Sequence, residues 1–586
     1  MDNNKVSGAD LLVSILEDAG VEVVAGIPGH TVGDFALAVG KSDKLRSILV
    51  RHEATATFAA DVYFRVSGRL MAAFTHAFPG ALNGLIGVAN AYADYSSLFF
   101  VTGNTASVGI GRGGYQELSR QTDDDLRGLV RPAVKRVWEP RSAVDIAGNT
   151  LAALREATSG RPGPVGLVVS QELWSEQTEV PSSPQIERFV PNSTTRPEAN
   201  SIEQALKMIA RAKQPVILAG NGVNLGRARE ELRDFAERYS LPVATTASGK
   251  GAFPEDHALA VGVAGWTGTS AANSTLRQAD LVIVLGARLA ETTTSSWTPG
   301  ATFNSEKFNL IQVDIEASAV ANAYPVDVAL LGDMRNVLLD LLADNESAND
   351  RSEWLEQIAE SKAQWRAVVS ESAEDVGEAN SIRTGAVVAA LRSAFDGPIN
   401  LVSDCGKHHK WIIQQFEARA DDYVISSMGG ASMGVGLAGA IGAALARPDV
   451  PTVAWIGDGG LSMSLAALPT VAEYNLPITI VVIDDAAYGV VANGQIDATG
   501  RTAFSVFDGS GENPGYRLNF AEVAIACGIA ARTVSDPSEI ADAFDWAKSQ
   551  NGPSLINVLS DRRSVQPSGG GVLNPLASTS GALLWS

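Results

Sequence analysis

Two aspartates 27 residues apart, Asp458 and Asp485, hold the clearest promise of chemistry in this chain. Asp458 sits in Gly457-Asp458-Gly459-Gly460, directly after the apolar run Thr452–Ile456; Asp485 follows the run Leu476–Ile483. That spacing is roughly one strand–helix–strand unit, so both carboxylates are expected at the carboxyl edge of one parallel sheet. Paired carboxylates suit a hard divalent cation, and glycine N–H groups beside them can approach phosphate oxygens closely. The chemistry implied is a cation carrying a diphosphate. Two ordinary acidic loop residues are the competing reading.

Five of the six histidines follow predicted strand-to-loop transitions: His30, His52, His76, His408 and His409. Imidazole changes charge near neutrality, so a set of them at strand ends points to a shared proton-handling cleft. Solvated or core histidines are the alternative. Glu53 follows the predicted strand Arg46–Val50 and opens an alanine-rich helical segment. Burial there would raise its pKa and let it exchange a proton near neutrality. An acid that merely faces the helix dipole is the plainer reading.

The elements that must position these residues form three blocks in which β-branched apolar runs alternate with helical segments. That pattern predicts an α/β protein of three consecutive doubly wound parallel-sheet domains. The first block covers about 5–180, the second about 201–345 and the third about 381–562. A chain of 586 residues is too long for one core, which fits three domains. The stretch 171–200 reads as a connector, and 344–380, strongly charged, as an exposed helical linker. The first and third blocks share a rhythm that suggests related folds. Residues 429–446 carry no charge and mimic a membrane span, but their six glycines suit a small-residue helix packed inside the protein. The tail, 563–586, is either a frayed end or a lid over the active site.

A net charge of −21 argues against nucleic acid or an anionic membrane as partner. Any anionic ligand must then be held by a metal, helix N-termini and a few basic side chains. Two cysteines and no visible secretion signal suit a cytoplasmic setting.

The Gly457-Asp458-Gly459…Asp485 stretch, with Arg51-His52-Glu53 and the order of the blocks, resembles thiamine-diphosphate-dependent enzymes of the acetohydroxyacid synthase group. Further matching patches are Gly26-Ile27-Pro28-Gly29, Pro79-Gly80-Ala81-Leu82-Asn83, Tyr115-Gln116-Glu117, Gly249–Pro254 and Ser432-Met433-Gly434. The resemblance spans roughly residues 5–562. It implies a pyrimidine-binding first domain containing Pro79 and Asn83, a middle domain, and a third domain binding the diphosphate and Mg²⁺. Asp458, Asp485 and the carbonyl of Ala487 would ligate the metal. Gly406, Lys407, His408, Gly457, Gly459 and Gly460 would face the diphosphate. Met433 would wedge beneath the cofactor, and the Ala431 carbonyl would receive its 4′-amino group. Glu53 would bond N1′ of the pyrimidine and so activate thiazolium C2, with catalysis running through a C2-carbanion/enamine. A homodimer or homotetramer with active sites at the subunit interface is implied as well.

Departures from that group point elsewhere within it. Asp484-Asp485 stands where an Asn pair is usual, and Tyr488–Gln495 holds no Trp to shape a second-substrate pocket. His30 replaces a glycine, and His76-Ala77-Phe78 replaces Thr-Ser-Gly; both histidines would exchange protons with the bound substrate. This His pair is locally similar to that of cyclohexane-1,2-dione hydrolase; a structural tie between loops is the alternative. Gln116 would orient a substrate oxygen. The expectation is a lyase or carboligase acting on a small carbonyl substrate: a 2-oxo acid, acyloin, 1,2-dione or 2-hydroxyacyl thioester. An acetolactate synthase and a non-catalytic subunit are the alternatives. For the middle domain FAD, ADP and no ligand all remain open.

Overall fold

The computed structural model describes residues 5–118, 125–179, 194–304, 308–343, 349–374, 381–507 and 516–572. Runs rich in Val, Ile, Leu and Ala form strands buried on both faces, as parallel sheets flanked by helices require. The first domain contains β1 (Lys5–Ser7), β2 (Val23–Gly26), β3 (Arg46–Leu49), β4 (Ala72–His76), β5 (Phe99–Asn104), β6 (Arg136–Trp138), β7 (Val165–Ser170) and β8 (Gln177–Glu179). The middle domain contains β9 (Pro215–Ala219), β10 (Val243–Thr245), β11 (Ala260–Val263), β12 (Leu281–Leu285), β13 (Asn309–Asp314) and β14 (Val328–Leu331). The third contains β15 (Asn400–Ser403), β16 (Tyr423–Ser426), β17 (Thr452–Gly457), β18 (Ile478–Asp484), β19 (Ala530–Val534) and β20 (Ser554–Leu559).

Each domain is built on a six-stranded parallel sheet. The first runs β3-β2-β4-β5-β7-β6 and the third β16-β15-β17-β18-β20-β19, so their strand orders are identical. The middle sheet runs β11-β10-β9-β12-β13-β14, a different order that reverses between β9 and β12. A short antiparallel pair, β1 with β8, closes the first domain.

The first and third domains share one apolar core. The helix Val435–Ala446, buried along almost its whole length, lies on the helix Glu53–Ser67. Its glycines make this approach possible: a Cβ on Gly442 would stand 1.9 Å from the Ala59 carbonyl oxygen, and one on Gly439 2.6 Å from Val62. The small-residue stretch thus packs inside the protein, and among the described residues no helix is long and apolar enough to cross a membrane. Beside it, Arg65 bonds Asp61, Asp94 and the Ser426 carbonyl, tying the two domains with a fully partnered buried network.

One expectation is corrected. The helix Ser352–Glu374 is no exposed linker: Trp354, Ile358 and Trp365 are buried, and Trp354 donates to the Pro215 carbonyl. These side chains share one helical face, which covers the middle sheet while the charged residues face outward.

Candidate active site

The carboxyl ends of β17 and β18 meet through Asp458. Its Oδ1 accepts from the Gly459 N–H (2.9 Å) and its Oδ2 from the Ala487 N–H (3.1 Å). Burial, with Asp485 and Asp484 close by, pushes the Asp458 carboxyl up to about 8, the cost of gathering carboxylates in a dry site. Asp485 is also raised by burial, but Lys407 sits 2.9 Å from its Oδ2 and opposes the rise. Between Asp485 and Ala487 the chain turns through Ala486 in the left-handed region (φ 51°). For a residue with a Cβ that conformation is strained and must be held by its neighbours. The Ala486 N–H donates to Asp484, and its carbonyl accepts from Phe507 and Arg562.

Facing these carboxylates is a cradle of glycines around His408. A Cβ on Gly457 would lie 2.9 Å from the His408 ring and one on Gly406 2.5 Å from it. The ring is buried, and its Nε2 has no hydrogen-bond partner. Burial lowers its pKa to about 3, so the ring is neutral and keeps one buried polar atom without a partner. Asp404, raised to about 7 by burial, accepts from the N–H groups of Gly434 (3.1 Å) and Gly436 (3.0 Å). It thereby fixes the turn that follows Met433, whose Cε would be 3.2 Å from a Cβ on Gly459. Ala431 stands exposed at the head of this turn with φ 49°.

Two placements differ from expectation. Lys407 does not stand free: it pairs with Asp485 and donates to the carbonyls of Asp561 and Arg562. His409 turns to Ser403 and Met428 and leaves the cradle to His408.

A second group assembles at the carboxyl edge of the first sheet. Glu53, buried at the first turn of its helix, accepts from Asn83 Nδ2 at its Oε2 (3.0 Å), while its Oε1 lies over Gly80 beside Pro79. His76, at the end of β4, accepts at Nδ1 from the Thr31 hydroxyl (2.8 Å) and reaches Gln116 Oε1 with Nε2 (2.6 Å). The Thr31 N–H also donates to Nδ1 (3.4 Å), and Nε2 meets the acceptor Oε1 of Gln116; these contacts assign a neutral ring protonated at Nε2. Burial is the main cause that lowers the His76 pKa, aided by His30 and opposed by Gln116 and Glu53. The His30 ring stands edge-on to His76 at 4.7 Å and tilts against Tyr115 at 5.3 Å.

His30, His76, Gln116, Glu53 and Asn83 are thus neighbours, as are Gly406, His408, Met433, Gly457–Gly460, Asp458, Asp485 and Ala487. Among the described residues no hydrogen bond joins one group to the other. Thr31, Tyr115, Asp404, Tyr488 and Arg517 belong to these surroundings, but sequence reasoning did not single them out. Asp404 adjoins the Gly406–His408 patch, and Tyr115 and Tyr488 lie inside quoted stretches, so those three were within reach. Arg517 lies far along the chain and carries no local pattern. The tail, read as a frayed end or a lid, is described only to residue 572; 573–586 lie outside the described residues.

Three α/β domains with a glycine-and-carboxylate cradle and a separate acid–imidazole cluster define an enzyme that works with a bound diphosphate cofactor. Family comparison specifies it. Residues 6–124 match the N-terminal TPP binding domain of thiamine pyrophosphate enzymes, 202–341 their central domain and 404–558 their C-terminal TPP binding domain. A protein of Methanocaldococcus jannaschii named "probable acetolactate synthase large subunit" is 32% identical, over 96% of this chain and 93% of its own. The acetolactate synthase large subunits of Lactococcus lactis (29%, 94% of this chain and 92% of the relative) and Corynebacterium glutamicum (30%, 94% and 86%) are similar. The chain belongs to the thiamine-diphosphate-dependent enzymes of the acetohydroxyacid synthase-like family. It is a thiamine-diphosphate-dependent carboligase, and the alternative of a non-catalytic subunit gives way.

Proposed function

We propose that the enzyme takes a 2-oxo acid as donor and joins the fragment it retains to a second carbonyl compound, with Mg²⁺ as the cation. The residues fit such a cofactor: the buried Nε2 of His408 has no hydrogen-bond partner, and Asp458 and Asp485, buried side by side, supply the oxygen ligands that a hard cation takes. Gly406, His408, Gly457, Gly459 and Gly460 would line the diphosphate, and Asp458, Asp485 and the Ala487 carbonyl would hold Mg²⁺ through oxygen. Lys407 balances the charge of Asp485. Met433 and Ala431 would support the ring system from the turn that Asp404 fixes. When bound, thiamine diphosphate supplies a nucleophilic carbon and an electron sink.

Proton traffic falls to the first-domain group. Asn83 occupies Glu53 Oε2, leaving Oε1 to hold or release a proton at the pyrimidine N1′. His76 presents its Nε2 proton, with Gln116 as its present acceptor and orienting partner. His30 stands beside it at the exposed rim. The observation that carries the reading is this clustering of His30, His76 and Gln116 around Glu53 in the pyrimidine-binding domain. A substrate adduct needs proton donors and acceptors at that place. Because, among the described residues, no hydrogen bond joins the two groups within one chain, we propose that the site is completed by a second copy, in a homodimer or homotetramer.

Between the first and middle domains a cavity of about 420 Å³, lined by Asn221, Gly222, Gly286, Arg288 and Asp314 with Arg161 of the first domain, opens at the β9–β12 reversal. That position suits an adenine nucleotide, FAD or ADP. A cytoplasmic setting is proposed too, in keeping with two free cysteines.

A second reading rests on the helix Gly489–Thr499, which exposes Val490, Val491 and Ile496 and holds no Trp. Under it the acceptor is not a second pyruvate but a 1,2-dione or acyloin, and the enzyme also runs toward cleavage. Assaying purified protein with thiamine diphosphate, Mg²⁺ and a panel of 2-oxo acids and diones decides. Acetolactate from pyruvate alone supports an acetolactate synthase; cleavage of a dione without it supports the second reading. Turnover of neither class overturns both, and the visible spectrum of the same sample reports flavin.

A further inference from the structure

The strand β18 ends in two adjacent carboxylates, and only one of them pairs with Lys407. Asp484 is the other. Its side chain is 1% exposed, so its charge must be answered inside the protein. Arg517 answers it. Arg517 Nε stands 3.0 Å from both carboxylate oxygens, and Nη2 donates to Oδ1 (2.8 Å) and to the Asp484 carbonyl (2.5 Å). The Ala486 N–H supplies a further donor to Oδ1 at 3.2 Å. Asp484 thus has its oxygens occupied by Arg517 and Ala486, while Asp458 reaches Ala487 and Asp485 reaches Lys407.

Three carboxylates at one strand edge are one more than the proposed cation site uses. An unpaired Asp484 would compete for the cation or swing the loop toward it. The loop is easily disturbed, since its turn through Ala486 is strained and depends on the contacts that hold it. The guanidinium fork matches carboxylate geometry at two points and fixes its plane, which an ammonium cannot do.

We propose that Arg517 is a positioning residue for the cation loop: by clamping Asp484 it keeps a third carboxylate out of the site and holds the turn that presents Asp485 and Ala487. The inference rests on the reading of Asp458 and Asp485 as Mg²⁺ ligands.

Calorimetric titration of thiamine diphosphate into the full chain, at several Mg²⁺ concentrations, tests it without turnover. Arg517→Gln is expected to weaken binding at least tenfold and to raise the Mg²⁺ concentration required. Adding Asp484→Asn to that variant removes the charge that needs an answer, and binding is expected to return to within about threefold of the parent. Unchanged binding in Arg517→Gln, or an equal loss in the double variant, overturns the proposal. If Arg517→Gln does not fold, the double variant decides alone: near-parental binding supports the clamp, and weak binding refutes it. A parent protein that binds thiamine diphosphate with no Mg²⁺ dependence, or an Asp458→Ala variant that keeps that dependence, refutes the underlying cation reading instead.

Discussion

His76 shows how much chemistry one side chain gains from its neighbours. Thr31 fixes its tautomer, Gln116 Oε1 accepts from its Nε2 N–H, and burial lowers its pKa below that of an ordinary histidine. A depressed pKa means the neutral ring persists as the pH falls through the usual histidine range and is lost only below it. The acid limb of kcat/KM should therefore fall below about 6.5. Gln116 raises the His76 pKa, so Gln116→Leu should move that limb to lower pH. His76→Gln should cut kcat/KM by roughly a hundredfold while leaving cofactor affinity unchanged. An acid limb that ignores both changes would remove His76 from proton transfer. The site was legible at this scale wherever residue type and local motif coincide, as at Glu53, His408 and Asp458. The resemblance placed Lys407 at the diphosphate, and a position after a strand end placed His409 in a shared proton-handling cleft. A helix rotates successive side chains by about 100°, so neighbours in sequence face different partners; Lys407 turned to Asp485 and His409 to Met428.

Among the elements, the contact between the helices Glu53–Ser67 and Val435–Ala446 sets the distance between the Glu53 helix and the turn after Met433. Gly442→Val would drive a side chain into the Ala59 carbonyl, 1.9 Å from the Cβ position. A loss of about 3 kcal/mol or more is expected, read as a fall in Tm or in recovered protein. Gly40→Ala, with nothing within 4 Å of the new Cβ, should leave Tm unchanged. Equal behaviour of the two variants would contradict the packing argument. Strand positions in the sheet centres were legible because both faces are apolar. The short edge strands β6, β11 and β14 were not: β14 alternates buried and exposed residues, and β11 carries Gly262, so neither forms an apolar run. The helix Ser352–Glu374 was misplaced because its many charges hide a narrow stripe of two tryptophans and an isoleucine.

For the whole molecule, the shared strand order of the first and third sheets gives physical form to a likeness that the sequence carried only as rhythm. It leaves the acid–imidazole cluster on one domain and the diphosphate cradle on another. If two copies complete each site, Glu53→Gln and Asp458→Ala proteins, each inactive alone, should complement when co-expressed. A mixed dimer would hold one wild-type site, restoring about a quarter of full activity. No restoration would place both groups of one site in one chain. Which carbonyl compounds enter was not legible from sequence, because the pocket walls are loops whose shape depends on long-range contacts such as Tyr115 against His30.

The central claim is that Glu53 activates thiamine diphosphate held by the Asp458–Asp485 loop. Its most direct test is turnover of Glu53→Gln with saturating thiamine diphosphate and Mg²⁺, alongside cofactor binding. The account predicts a rate lower by at least about a hundredfold with binding largely retained. Turnover within a few-fold of the parent enzyme would contradict it.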